Sequence, residues 1–321
     1  MTNPILIAFA CDEGYSKHVG VVMQSILANA TMADRHEFHI LTMNLSLDAE
    51  NRLLEIATRG KATILVHRID ASLLAGFPTG SLPLETYLRL LLPDLLPEYE
   101  KILYLDADLI VMDSLSKLWN FPIGTNAIGA TIDTIAILKG VAILDHFKAL
   151  QLPEQHVYFN AGVLLLNLKV LRDLRLLEIV KEWTQRHLSL MINSDQDVLN
   201  VVLNGNVSYF DLRWNLQAPL IAPIKLGWKC STEHVKAVSD PGIIHYVTNR
   251  KPWRKEFKLP YQNLYFKYLA QTPWKEDALD PFTTDLVWKR CQEELEWGRK
   301  LVMAKIRRLI GRRFILSDDA N

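Results

Sequence analysis

Six short apolar runs, separated by segments of helical period, occupy the first two thirds of the chain and limit its fold more than any other feature. They are ILIAFAC (5–11), EFHILTM (37–43), ATILVHRI (62–69), KILYLDADLIV (101–111), NAIGATID (126–133) and FNAGVLLLNL (159–168). Between them lie SKHVGVVMQSILANA, SLDAENRLLEIATRG and LETYLRLLLPDLL, the second opening on a Ser cap and closing near Gly60. A strand that is apolar on both faces needs cover on both faces, and helices between successive strands supply it. The alternation therefore predicts an α/β fold with a Rossmann-like, mostly parallel central sheet flanked by helices. Ligands of such sheets bind beyond the carboxyl ends of the strands.

Acidic residues recur at those ends. The first run leads into Cys11, Asp12 and Glu13, the fourth contains Asp106 and Asp108, and the fifth ends on Asp133. In a continuous strand the side-chain period is two, so Asp106 and Asp108 would point to one side and hold two carboxylates near one point. That arrangement needs a counter-ion, and a hard divalent cation such as Mg²⁺ or Mn²⁺ suits oxygen ligands and bridges carboxylates to substrate phosphates. A turn carrying two solvated acids is the alternative. Neither G-x-x-x-x-G-K-[ST] nor G-x-G-x-x-G occurs, which disfavours a P-loop kinase or an ordinary dinucleotide-dependent dehydrogenase.

Lys plus Arg number 36 and Asp plus Glu number 36, so the formal net charge of zero argues against a surface adapted to nucleic acid. Cys11, Cys230 and Cys291 are odd in number, widely spaced and without a C-x-x-C pair, as expected for a reducing cytosol rather than a disulfide framework or structural zinc. The N-terminus has no basic n-region and reads as a first core strand rather than a signal peptide. No run reaches the roughly 20 apolar residues of a membrane span. The last segment, WKRCQEELEWGRKLVMAKIRRLIGRRF, reads as helix, with Val302, Met303, Ile306, Leu309 and Ile310 on one side and Lys305, Arg307, Arg308 and Arg312 elsewhere. A basic amphipathic helix of this kind suits an anionic membrane surface, and a solvated basic face on a packed helix is its bland alternative.

Seven separated segments then agree with one family: FACDEGY (9–15), TYLRL (86–90), KILYLDADLIV, GATID (129–133), YFNAGVLLLNL (158–168), SDQDVLN (194–200) and HYVTNRKPW (245–253). In these residues, and in their order, the chain resembles the retaining glycosyltransferases of family 8, in particular the bacterial lipopolysaccharide galactosyl- and glucosyltransferases. The resemblance implies a GT-A catalytic domain over 1–260 and a C-terminal helical, membrane-associating region over 261–321. It implies a UDP-hexose donor, a saccharide or lipid-linked saccharide acceptor, and a cytoplasmic protein held peripherally on the inner face of the membrane.

Residue by residue, the resemblance makes Asp106, Asp108 and His245 the ligands of Mn²⁺, with Mg²⁺ the alternative. Ala10, Asp12 and Tyr15 would meet the uridine, and Arg89 and Ala107 the sugar and phosphates. Asp133 and Asn160 would bind the hexose, and Lys251 the departing diphosphate. Asp195 would bind donor hydroxyls, while Gln196 takes the family position nearest the anomeric carbon. Because an amide oxygen is a poor nucleophile, front-face attack is expected over double displacement. The stretch TGSLPLE (79–85) is shorter than in the family's best known galactosyltransferase and lacks its acceptor-side histidine. Thr248, Asn249 and Arg250 replace a run of small residues before Lys251. Two other readings of D-x-D remain open at this point, a phosphotransferase of the haloacid dehalogenase type and a non-catalytic sugar-nucleotide binding module.

Overall fold

A computed structural model describes residues 3–78, 83–134, 141–221, 224, 231–278, 288–293, 295, 296, 298, 299 and 302. The central sheet has seven strands: β1 (Ile5–Ala10), β2 (His36–Thr42), β3 (Thr63–Arg68), β4 (Lys101–Leu105), β6 (Ile128–Ile132), β7 (Phe159–Asn167) and β8 (Val207–Tyr209). Their spatial order is β3-β2-β1-β4-β7-β6-β8, parallel throughout except that β7 runs antiparallel to both its neighbours. The α/β class, the mostly parallel sheet and the six strand positions expected from sequence are present.

The apolar runs are continuous because both faces are covered. Along β1, Leu6 and Ala8 face one core while Ile5, Ile7 and Phe9 face the other, and in β4 Ile102 and Tyr104 oppose Leu103 and Leu105. Helices α1 (Glu13–Ala28) and α2 (Leu47–Arg59) cover the second face with Val19, Val22, Met23, Leu53 and Ile56. Leu88, Leu91, Leu92, Leu168, Leu171 and Val180 cover the first. Both helices begin on side-chain caps: Asp12 accepts from the N–H of Tyr15 (2.8 Å), and Ser46 accepts from that of Ala49 (3.1 Å).

KILYLDADLIV is not a single strand: β4 stops at Leu105 and, after three intervening residues, a second strand, β5 (Leu109–Val111), starts in a different sheet. This small sheet has the order β5-β10-β9, with β9 at Leu216–Gln217 and β10 at Ile243–His245. The intervening Asp106-Ala107-Asp108 is fastened at both ends, by Asp106 N–H to the Gly162 carbonyl (2.9 Å) and by the Asp108 carbonyl accepting from Tyr246 N–H (2.9 Å). The two acids are brought together by a crossing between sheets, not by strand pleat.

The third core lies under the small sheet and includes Ile110, Leu216, Ile244, Tyr246, Tyr265 and Tyr268, the last two from helix Gln262–Leu269. Among the described residues no helix is long and apolar enough to cross a membrane. The tail beyond 302, with most of its expected basic face, and residues 79–82 of the shortened stretch lie outside the described residues; Arg299 is exposed.

Candidate active site

A cleft of about 500 Å³ opens at the carboxyl ends of β1, β4 and β6, and every site residue expected from sequence lines it. At its floor, antiparallel pairing of His245 with Leu109 sets the imidazole beside the crossing. His245 Nε2 lies 3.1 Å from Asp108 Oδ1 and 3.7 Å from Asp106 Oδ2. Ligand atoms of Asp106, Asp108 and His245 all fall within 4.8 Å of one another. Gly162 leaves the room for this approach: a Cβ there would stand 2.2 Å from His245 Cε1 and 2.6 Å from Asp106 Oδ2. Two carboxylates and one imidazole nitrogen converging on a space cleared of side chain fit a divalent cation that accepts oxygen and imidazole ligands together.

Cationic side chains of the chain itself balance the carboxylates of the floor. Burial alone would push Asp108 up, but the Lys251 ammonium and the His245 ring outweigh it and hold the carboxyl well below the ordinary range. Lys251 donates to Asp108 Oδ2 and to the Tyr246 carbonyl (3.0 Å). Burial pushes Asp195 up to about 6, with Asp106 adding to the rise and Arg89 opposing it. Buried Arg89 spans the wall: it donates to the carbonyls of Ala161 (2.5 Å) and Thr86 (2.9 Å) and to Asp106 Oδ1 (3.1 Å), and its guanidinium lies over the Tyr104 ring. Asp195 Oδ2 is 3.0 Å from Arg89 Nε but off its N–H direction, which Thr86 takes. That oxygen is thus ion-paired and buried with no hydrogen-bond partner among the described residues.

Beside the floor lies a network of amides. Gln196 Oε1 accepts from Ala161 N–H (3.0 Å) and Asn160 Nδ2 (3.1 Å), and Gln196 Nε2 donates to Asp133 Oδ2 (2.7 Å). Asn160 Oδ1 accepts from Gly162 N–H (3.0 Å) and Asn215 Nδ2 (2.8 Å). Asp195 and Gln196 begin helix Asp195–Val202, entered through Ser194 at φ 49°, and Thr248 on the opposite wall has φ 79°. Non-glycine residues in such conformations cost roughly 1–3 kcal/mol each and cluster at functional sites. At the far end, Tyr15 packs edge-on against His18 (5.4 Å) and Trp253 (5.7 Å), leaving Ala10, Asp12 and the ring along the wall.

Three structural contributors carried no sequence signal. Asn215 joins His245 to Asn160, and Gly162 opens the floor. Asp197, within SDQDVLN, accepts from Tyr158 Oη, from His146 Nε2 (2.9 Å) and from the N–H groups of Ile192 and Asn193 (2.7 Å each). It fixes the wall segment 192–193 instead of lining the cleft.

The described cysteines, Cys11 and Cys291, are free, and burial pushes the Cys11 thiol up to about 12; Cys230 is outside the described residues.

Comparison with known proteins places these features in a family. General stress protein A of Bacillus subtilis is 24% identical over 278 residues, covering 84% of this chain and 94% of that protein. A lipopolysaccharide 1,2-glucosyltransferase of Escherichia coli is 27% identical over 288 residues, covering 85% and 79%. The crystal structure of galactosyltransferase LgtC with donor and acceptor sugar analogues superposes with a TM-score of 0.74 at 25% identity, over 89% of this chain and 100% of that one. Its fold is the GT-A fold expected here. The glycosyl transferase family 8 profile matches residues 6–256, from the first strand through the Lys251 segment, and this sets the phosphotransferase alternative aside. With most of its length inside that match, the chain belongs to glycosyltransferase family 8.

Proposed function

We propose that the protein is a retaining, Mn²⁺-dependent hexosyltransferase that moves an α-linked galactose or glucose from a UDP-hexose to a saccharide acceptor of lipopolysaccharide or a similar surface glycan. The observation that carries this reading is one cleft holding a carboxylate–carboxylate–imidazole trio, two cations and a donor/acceptor amide network side by side. The names of two relatives, one a glucosyltransferase and one a galactosyltransferase, support a hexose donor. Those two sugars differ only in the orientation of one hydroxyl.

In this reading Asp106, Asp108 and His245 hold the metal, with Mg²⁺ the alternative ion. When bound, the metal supplies Lewis-acid stabilisation of the leaving diphosphate. Lys251 is placed to exchange its Asp108 partner for a diphosphate oxygen, adding a point positive charge where negative charge grows. Arg89, pinned by two carbonyls, offers a fixed guanidinium to the sugar and phosphates, with Ala107 lining the same space. Ala10, Asp12 and Tyr15 line the uridine end, with Asp12 accepting from the uracil and Tyr15 stacking on it.

The hexose lies over Asp133, Asn160 and Asp195. The Oδ2 of Asp195, ion-paired with Arg89 but without a hydrogen-bond donor among the described residues, would accept from a donor hydroxyl and so be satisfied. Gln196 does not act as nucleophile: its amide oxygen is neutral and already accepts two hydrogen bonds. Its dipole and the Asp195 carboxylate instead stabilise a cationic anomeric centre, while the leaving phosphate takes the acceptor hydroxyl's proton on the front face. The basic tail supports a place on the inner face of the cytoplasmic membrane: no acid lies between Glu296 and Asp318, while Arg299, Lys300, Lys305, Arg307, Arg308, Arg312 and Arg313 fall there.

The test is UDP release over a panel of UDP-sugars with Mn²⁺ and then with chelator. Slow release from UDP-galactose or UDP-glucose that chelator abolishes is expected. Donor binding without release would favour a non-catalytic module, and release unaffected by chelator would remove the metal from the reading.

A further inference from the structure

The amide network has a fixed direction. A backbone N–H only donates, so Gly162 N–H at 3.0 Å identifies the atom it meets on Asn160 as oxygen. Asn160 Oδ1 also meets Asn215 at 2.8 Å, and the Asn215 atom there must therefore be its NH₂ group. The other end of the same amide, Asn215 Oδ1, then faces His245 Nδ1 at 2.9 Å, so Nδ1 must carry a proton. With Nδ1 engaged there, the imidazole presents Nε2 to Asp108 Oδ1 at 3.1 Å, where without metal it donates to the carboxylate and where a bound metal would take that proton's place. The Asn215 side chain is fully buried, at the end of the turn Leu212–Asn215 that leads directly into β9, and β9 pairs in parallel with β10. The amide, one residue before β9, is thus held beside the imidazole on the neighbouring strand β10.

We infer that Asn215 is a positioning residue that locks His245 with Nδ1 protonated and Nε2 aimed at the metal, and that ties this orientation to Asn160 on the hexose side. The inference rests on the reading of Asp106, Asp108 and His245 as metal ligands. A histidine ligand whose second nitrogen donates to a fixed acceptor is held in one tautomer and one ring orientation, and loss of such a partner costs about 10- to 100-fold in metal affinity. The same amide serves Asn160 through its other end. Asparagine supplies an acceptor to one neighbour and a donor to the other, which neither aspartate nor an apolar residue does.

Two measurements test it. In metal-free wild-type protein labelled with ¹⁵N-histidine, long-range ¹H–¹⁵N correlations of His245, assigned by their loss in His245→Gln, are expected to show Nδ1 protonated; a neutral ring with the proton on Nε2 would overturn the inference. Binding of Mn²⁺ in the presence of UDP, read from the EPR signal of the free ion, is expected to weaken about 10- to 100-fold in Asn215→Ala. Asn215→Asp keeps an acceptor for Nδ1–H and is expected to bind Mn²⁺ close to wild type, yet to lose kcat because Asn160 Oδ1 loses its donor. Wild-type affinity in Asn215→Ala, or equal weakening in both variants, contradicts the inference. If Asn215→Ala does not fold, the wild-type tautomer and the Asp variant still decide. Wild-type protein that binds no Mn²⁺ would overturn the metal reading itself, an outcome distinct from the others.

Discussion

At Gly162 a single missing methyl group decides whether imidazole and carboxylate can approach. An added Cβ would meet His245 Cε1 at 2.2 Å and Asp106 Oδ2 at 2.6 Å, and neither neighbour is the end of a long flexible chain. Overpacking of this kind costs about 1–3 kcal/mol. Gly162→Ala is therefore expected to lower Tm modestly and to abolish Mn²⁺-stimulated UDP release, checked by thermal unfolding and the release assay; full activity would mean that the trio is not the working site. Nothing in YFNAGVLLLNL announces this role, since a glycine in a strand has many causes. Asp106 and Asp108, by contrast, were legible because two acids interrupt an apolar run. His245 needed the family resemblance, and Asn215 was invisible because its partners, His245 and Asn160, are distant in sequence and its neighbours are ordinary core residues.

Secondary elements were legible where one force dominates. The six strands followed from two-sided burial, α1 from period, and α2 from period and capping. Where forces compete, the pattern misled. LETYLRLLLPDLL forms a 3₁₀ segment, Leu84–Leu91, followed by one α-turn, Leu92–Leu95. Pro93 has no N–H to give to the Arg89 carbonyl, and Leu92 N–H closes on that carbonyl in the tighter pattern. The resulting turn aims Arg89 into the cleft. The tail is read from its sequence alone: each basic residue near an anionic surface contributes about 1 kcal/mol. Deleting residues from Arg299 onward is expected to reduce co-sedimentation with anionic vesicles while leaving UDP release in solution unchanged, and unaltered sedimentation would remove the proposed membrane association.

Over the whole molecule, the site exists because the chain passes from one sheet to another. Residues from Asp12 to Lys251 meet where β4 leaves the large sheet and β5 enters the small one, and the D-x-D segment is the crossing itself. Sequence pattern locates the carboxyl ends of strands but not a change of sheet, which depends on pairing of β5 with β10 more than a hundred residues later. That is why the two acids were expected on one strand and are found between two. The most direct measurement is anomalous scattering at the manganese edge from crystals grown with UDP and Mn²⁺. A single peak between Asp106, Asp108 and His245 Nε2, against the UDP diphosphate, is the expected result. Bound UDP with that position empty, or a peak elsewhere, would contradict it.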